Sequence, residues 1–147
     1  LENLQAVAGR LQSKPRADGG VVLDDTYNAN PGSLRAAIDV LRELPGEAWL
    51  VLGNMGELGA DAEKLHAEIG AYARDAGIPA LYTLGELAAE AARSFGSNAQ
   101  SFDDLDALVA ALRARLHPAI AVLVKGSRSA GMERVVQALL AGTGEGI

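Results

Sequence analysis

The sequence has no cysteine among its 147 residues, which excludes disulfide bonds and cysteine-ligated metal sites. Aromatic residues make up only 4 % of the chain, too few and too scattered for a surface on which nucleic-acid bases stack. No apolar run approaches the roughly 18 residues that a membrane-spanning helix needs. The N-terminus also lacks the charged and then apolar pattern of a signal peptide.

Positive charge is scarce as well, because 13 basic residues face 19 acidic ones and give a formal net charge of −6. Binding to a nucleic-acid backbone requires a basic patch that releases counterions, so such a partner is not expected. His66 and His117 lie far apart without the spacing of metal ligands. We interpret His66 as a partly buried packing residue rather than a catalyst. We expect a cytoplasmic monomer with no membrane partner.

Apolar residues make up 49 % of the sequence, as in a folded domain, and the length suits one domain with one sizeable core. The first residues, "LENLQAVAGRLQSK", begin without Met and resemble the end of an incoming helix. We therefore expect a fragment of a longer protein. One domain would cover residues 1–147, with the end of an interdomain linker at 1–8 and a flexible tail at 142–147.

Segments typical of strands and of helices alternate along the chain. The predicted strands are 9–14, 21–25, 48–53, 79–84, 98–102 and 119–126. The predicted helices are 31–44, 62–76, 86–95, 103–116 and 130–141. A short Gly-rich connector joins the first two strands and favours an antiparallel pair, whereas helices separate the later strands. The pattern predicts an α/β domain with a six-stranded, mainly parallel sheet, one antiparallel strand and helices on both faces.

Ligands of such sheets bind where the parallel strands end, at the turns that lead into helices. The first unusual turn is "DDTYNANPGS". Asp24 and Asp25 end a strand in the core, where each carboxylate needs a partner to offset its desolvation. An acid at this place can accept hydrogen bonds from ribose hydroxyls, and Tyr27 and Asn28 add a ring and an amide. Asn30 has a structural explanation too, because Asn before Pro is a favourable helix N-cap.

A second unusual turn is "GNMGELG", residues 53–59, with a glycine at every third position. This spacing suggests close backbone approach or positive φ, and it matches neither common phosphate-binding glycine pattern. Glu57 is its only charged residue. The pattern leaves open whether this turn binds a ligand or is only an unusual loop.

The third unusual turn, "KGSRSAGMER", follows the most apolar strand. Lys125, Ser127 and Arg128 precede a helix whose free N–H groups attract anions, which predicts a carboxylate or phosphate site. Alternatively, Lys125 extends its ammonium group to solvent, Ser127 or Ser129 only caps the helix, and Arg128 pairs with Glu133. No P-loop, nucleophile elbow, pair of catalytic carboxylates or metal cluster is apparent in the sequence, so we expect ligand-binding residues without a catalytic centre.

Together, "DDTYNANPGSLRAAIDVL", "LGNMGELG" and "VLVKGSRSAGMERVV" resemble, in this order and spacing, the C-terminal domain of the Mur ligase family. The resemblance covers nearly the whole chain. Within the family, it is greatest to the ligase that adds D-Ala-D-Ala to UDP-N-acetylmuramoyl-tripeptide in peptidoglycan synthesis, through an acyl phosphate formed with ATP. The family usually has Asp where this chain has Asn54, which questions any role that needs a charge there.

The resemblance implies a Rossmann-like domain that closes over ATP. The N-terminal and central domains of such a ligase, absent from this chain, would hold the UDP-sugar, the P-loop and Mg²⁺. The implied contacts are Asp25, Tyr27, Asn28 and Asn30 for the nucleotide, Lys125, Ser127 and Arg128 for D-Ala-D-Ala, and Asn54 and Glu57 at the border of the cleft. No catalytic residue or metal ligand is implied in this domain, and the isolated domain is expected to be inactive.

Two alternatives share the architecture. A folylpolyglutamate-type ligase would have the same fold, but we do not expect it to combine "YNANP" with "KGSR". A free-standing nucleotide-binding module would have no chemistry of its own. A P-loop encoded upstream in the native gene would favour a ligase, and its absence would favour the module.

Overall fold

Strands and helices alternate in the computed structural model, which describes residues 12–26, 29–44, 46–127 and 130–145. The strands are β1 (Gln12–Pro15), β2 (Val21–Asp25), β3 (Glu47–Gly53), β4 (Ala80–Leu84), β5 (Ala99–Phe102) and β6 (Ile120–Lys125). The helices are α1 (Pro31–Arg42), α2 (Ala62–Asp75), α3 (Ala88–Phe95), α4 (Leu105–Arg115) and α5 (Glu133–Glu145), and a 3₁₀ turn (Gly59–Asp61) precedes α2. Each strand and each α-helix corresponds to a predicted segment. The 3₁₀ turn was not predicted, and α5 extends past residue 141 to Glu145, into the predicted tail of residues 142–147.

The strands form one sheet in the order β1-β2-β6-β3-β4-β5. β1 is antiparallel to β2, and the other neighbouring strands are parallel. The central strand β6 is buried along its whole length, as expected for a parallel strand that is covered on both faces. The predicted α/β class, with a mainly parallel six-stranded sheet and one antiparallel strand, is confirmed.

Two apolar layers cover the sheet. Alternate residues of β3 face opposite sides, so Leu50 packs with one cluster and Val51 with the other. The first cluster includes buried residues of α1, α2 and α3, and the second includes buried residues of α4 and α5. The helices therefore lie on both faces of the sheet, as predicted. The turns that lead into them lie at the carboxyl ends of the parallel strands, and we call this side of the sheet its carboxyl edge.

Helix α1 begins with the predicted cap. The Asn30 side-chain oxygen accepts a hydrogen bond from the Ser33 backbone N–H at 2.9 Å, and the Ser33 hydroxyl oxygen accepts one from the Asn30 N–H at 3.2 Å. Pro31 occupies the first helical position, where its missing N–H costs nothing. This reciprocal cap fixes the direction in which the chain leaves the turn after β2.

A buried arginine stabilises the end of the sheet at which β2 and β6 begin. Sequence patterns do not single out this residue. Arg16, in the β1–β2 connector, is 3 % exposed. Its guanidinium donates to the carbonyl oxygens of Val21 at 3.0 Å, Ile120 at 2.9 Å and His117 at 2.9 Å, and to Asp18 at 3.1 Å. Because Val21 begins β2 and Ile120 begins β6, this one side chain ties together the amino ends of two neighbouring strands.

We expect Arg16→Lys to lower the free energy of unfolding by about 1.5–3 kcal/mol, because an ammonium group cannot reach three carbonyl oxygens in the planar arrangement of a guanidinium. Urea denaturation measures the loss. The matched control is Arg113→Lys, at an exposed arginine that donates to the Ala138 carbonyl, where we expect a change within about 0.5 kcal/mol. Equal effects of the two substitutions would contradict the role assigned to Arg16.

Candidate functional site

The three unusual turns lie next to one another because β6 is inserted between β2 and β3. In the sheet register, Asp25 at the end of β2 is opposite Lys125 at the end of β6, and Lys125 is opposite Leu52, one residue before β3 ends. Asp25, Asn54 and Lys125, predicted from three distant segments, therefore converge at the carboxyl edge of the sheet. This is the edge where open parallel sheets bind ligands.

A buried ion pair joins two of these turns. The Lys125 Nζ atom lies 2.7 Å from Asp25 Oδ2, and the two side chains are 1 % and 12 % exposed. The alternative in which Lys125 extends its ammonium group to solvent is therefore wrong. Either charge buried alone would cost several kcal/mol, so the pair explains how a core strand ends in an acid and how the most apolar strand ends in a lysine.

Asp24 points to the other face of β2 and has different partners. Its Oδ2 atom lies 2.8 Å from Lys14 Nζ on β1. Its Oδ1 atom accepts hydrogen bonds from the Thr26 hydroxyl at 2.9 Å and the Thr26 N–H at 3.2 Å. Asp24 thus holds the first residue of the turn against the end of its strand. The detectable sequence signal is the pair of opposite charges on the two strands of a predicted hairpin.

The turns after β3 and β6 pack closely through glycines. A Cβ atom added to Gly53 would lie 2.5 Å from Met132 Cγ, and one added to Gly126 would meet the same atom at the same distance, 2.5 Å. A Cβ atom on Gly56 would lie 3.3 Å from Ser127 Cβ. The close backbone approach predicted from the glycine spacing is therefore confirmed.

Asn54 connects these turns to a third one. Its side-chain oxygen accepts a hydrogen bond from the Ala88 N–H at 2.9 Å, which satisfies a free donor at the start of α3, where Leu87 in the cap position supplies no side-chain bond. Its backbone carbonyl accepts from the Ser127 N–H at 3.0 Å. The first bond needs a side-chain acceptor oxygen and no charge, so the uncharged Asn54 fills this structural role.

Glu57 has a left-handed backbone conformation, with φ of 55°. Such a conformation is uncommon for residues other than glycine and costs on the order of 1 kcal/mol or more. The side chain is exposed, so the strain is not offset by burial. Two residues later, Gly59 also has positive φ, 69°, which is the second property that the glycine spacing predicted for this turn.

His66, on α2, is completely buried and makes hydrogen bonds with both ring nitrogens. Its Nε2 atom accepts from the Met55 N–H at 2.9 Å, and its Nδ1 atom lies 2.7 Å from the Ala62 carbonyl oxygen. Because that carbonyl can only accept, Nδ1 carries the proton. Burial lowers the pKa of His66, while the bond to Ala62 and the charge of Glu90 partly offset the shift. His66 was predicted as a partly buried packing residue. It is completely buried, and it also accepts a hydrogen bond from a backbone amide, which was not predicted.

Four polar residues of the candidate turns, Tyr27, Asn28, Arg128 and Ser129, lie outside the described residues. Ser127 is described and is 9 % exposed, and its carbonyl accepts from the Ala130 N–H at 3.0 Å.

Within the described ranges, no group of three or more His, Asp or Glu residues could hold a metal ion. In the same ranges, each helix is too short or too polar to cross a bilayer.

The described residues form an α/β domain with polar residues gathered at the carboxyl edge of its sheet. The family model for "Mur ligase, glutamate ligase domain" matches residues 9–128. The chain belongs to this family, which confirms the resemblance found in the sequence motifs.

Among its relatives, the UDP-N-acetylmuramoyl-tripeptide–D-alanyl-D-alanine ligase of Escherichia coli strain K12 is 44 % identical over 141 residues, which cover 95 % of this chain and 31 % of that protein. The chain thus spans about a third of the length of this relative. A crystal structure of the MurF ligase from Thermotoga maritima in complex with ADP superposes with a TM-score of 0.84 and 26 % identity, over 95 % of this chain and 32 % of that one. A MurF structure from Acinetobacter baumannii gives a TM-score of 0.79 and 30 % identity, over 90 % and 30 %.

We expect the folded protein to lose stability as the pH falls below 6.5, the ordinary pKa of histidine. His66 resists protonation in the folded state, so the unfolded chain binds more protons between 6.5 and the lowered pKa, and folding weakens across that interval. Urea denaturation between pH about 7 and about 5 measures the effect. His66→Gln should reduce the pH dependence. An equal pH dependence in His66→Gln and the unsubstituted protein would contradict this assignment.

Proposed function

We propose that this chain is the C-terminal domain of an ATP-dependent, cytoplasmic ligase that joins D-Ala-D-Ala to UDP-N-acetylmuramoyl-tripeptide in peptidoglycan synthesis. The observation that carries the proposal is the 44 % identity with the Escherichia coli ligase across 95 % of the chain. Similarity to a MurF ligase solved with ADP supports a nucleotide substrate. Because the chain spans 31 % of the Escherichia coli relative, we assign the P-loop, the UDP-sugar site and Mg²⁺ to the N-terminal and central domains of the same protein.

The proposed reaction has two chemical steps. ATP phosphorylates the terminal carboxylate of the tripeptide, which gives an acyl phosphate and ADP. The amine of D-Ala-D-Ala then attacks the carbonyl carbon, loses a proton and forms a tetrahedral intermediate that expels phosphate and leaves the new amide. Water competes with the amine for the acyl phosphate, so closure of this domain over the site would protect the intermediate.

For the nucleotide, we propose contacts at the turn after β2. The Asp25 carboxylate uses Oδ2 for Lys125, and we assign Oδ1 to the ribose hydroxyls. The ammonium group of Lys125 offsets the cost of burying the Asp25 carboxylate at this place. Tyr27, Asn28 and Asn30 would follow along the nucleotide. The N-cap bonds of Asn30 support this arrangement because they set the path of the turn.

For D-Ala-D-Ala, we propose that the turn after β6 holds the free carboxylate. Ser127 and Arg128 would contact it directly at the approach to α5, and Lys125 would add positive charge from its buried position beside Asp25. A guanidinium can hold a carboxylate through two parallel hydrogen bonds. Asn54 and Glu57 would border the same cleft, which is supported by the bond between the Asn54 carbonyl and the Ser127 N–H.

In the full-length protein, we expect Arg128→Lys to reduce kcat/KM for D-Ala-D-Ala by roughly 10- to 150-fold and to leave the KM for ATP nearly unchanged, because the lysine cannot form both hydrogen bonds to one carboxylate. ADP release, with each substrate varied in turn, measures both values. The unsubstituted protein should release ADP with UDP-N-acetylmuramoyl-tripeptide and D-Ala-D-Ala together, and D-glutamate should not replace the dipeptide.

The matched control for this experiment is Arg134→Lys. Arg134 is an exposed arginine of α5 that donates to the Gly131 carbonyl at 3.0 Å, and its substitution should leave all kinetic constants close to those of the unsubstituted protein. A thermal melt distinguishes the alternative in which Arg128 pairs with Glu133. If Arg128→Lys lowers the melting temperature and weakens all substrates alike, the carboxylate-binding role is wrong. If the unsubstituted protein does not use D-Ala-D-Ala, the proposed ligase activity is wrong.

A further inference from the structure

The loop of residues 54–58 lies between the buried core and the turn that we assign to the dipeptide. At one end, the Asn54 carbonyl accepts the Ser127 N–H at 3.0 Å. Near its middle, Gly56 approaches Ser127 so closely that a Cβ atom would lie 3.3 Å from the serine Cβ. The position of Ser127 therefore depends on the position of this loop.

Between these two contacts, the loop is held by His66. The Met55 residue is 1 % exposed, and its N–H donates to His66 Nε2 at 2.9 Å. Because Met55 and His66 are both buried, loss of the imidazole would leave this amide without its acceptor, and a buried donor without an acceptor costs about 1–3 kcal/mol. His66 itself is completely buried on α2, with its ring orientation fixed by the bond from Nδ1 to the Ala62 carbonyl. The imidazole is thus a rigid acceptor for one backbone amide of the loop.

We propose that His66 is a positioning residue for the dipeptide site: by accepting the Met55 N–H, it holds the Asn54 carbonyl against the Ser127 amide and so fixes the turn that binds the D-Ala-D-Ala carboxylate. This inference rests on the proposed function of that turn. His66 touches no substrate in this arrangement and acts through two backbone bonds. The competing explanation is that His66 only stabilises the start of α2 through Ala62.

Two substitutions separate these explanations. The amide of Gln places an acceptor oxygen near the position of Nε2, so His66→Gln retains the bond to Met55. The shorter Asn places its amide near Nδ1, so His66→Asn retains the donor to the Ala62 carbonyl and loses the acceptor for the loop. In the full-length protein, we expect His66→Asn to lower kcat/KM for D-Ala-D-Ala about tenfold, with the KM for UDP-N-acetylmuramoyl-tripeptide nearly unchanged. His66→Gln should restore most of the activity.

Hydrogen–deuterium exchange on the same full-length proteins, followed by mass spectrometry, tests the positioning without relying on activity. His66→Asn should accelerate exchange in peptides that contain Met55 and Ser127, and His66→Gln should not. Faster exchange confined to α2, or equal kinetic losses for all substrates in both variants, would overturn the proposal in favour of helix stabilisation. If the unsubstituted protein does not use D-Ala-D-Ala, the proposed function is wrong. The exchange at Ser127 then decides on its own whether His66 positions the turn.

Discussion

The buried ion pair between Asp25 and Lys125 constrains the carboxyl edge of the sheet more than any other contact we describe there. Each residue ends a strand of the core, and the Lys125 Nζ atom lies 2.7 Å from Asp25 Oδ2. The lysine side chain is only 1 % exposed. Burying either charge without the other would strongly destabilise the folded state. The pair therefore requires β2 and β6 to be neighbours and in register, and it sets the two polar turns side by side.

Around this pair, the remaining contacts of the edge are made mainly by backbone and small residues. Gly53 and Gly126 allow the side chain of Met132 to cover both strand ends. Asn54 and His66 then accept hydrogen bonds from backbone amides of three different segments, at Ser127, Ala88 and Met55. The bond from Nδ1 of His66 to the Ala62 carbonyl fixes the orientation of the imidazole. Such bonds cost little entropy to maintain because they join elements that the sheet and helices already order. The result is a carboxyl edge at which the described parts of the turns are joined by hydrogen bonds.

Most elements of the fold were predictable from local patterns, although the patterns for β1 and β5 are weak. The helices have apolar residues at helical spacing, and β3 and β6 are short, nearly continuous apolar runs between turn residues. Local pattern also identified Asn30 as a helix cap and the glycines after β3 as points of close approach. The direct contact between Asp25 and Lys125 is observed in the structure. Their place in ligand-binding turns stays a prediction and is part of the proposed function.

What could not be predicted depends on strand order. Asp25 and Lys125 are far apart in the sequence, and they meet because β6 is inserted between β2 and β3, which no local pattern specifies. The same holds for Arg16, whose guanidinium reaches carbonyls at the starts of both β2 and β6. His66 has no neighbouring signal in the sequence for its bond to Met55, because the loop between them folds back onto α2.

The most direct test of this account is a double-mutant cycle on the ion pair. The free energy of unfolding would be measured in urea for Asp25→Asn, Lys125→Met, the double variant and the unsubstituted protein. We expect each single substitution to cost about 3–5 kcal/mol, because it leaves one buried group without its partner. The double variant should cost less than the sum of the two by about 1–3 kcal/mol. Strictly additive losses would contradict the claim that this pair holds the carboxyl edge together.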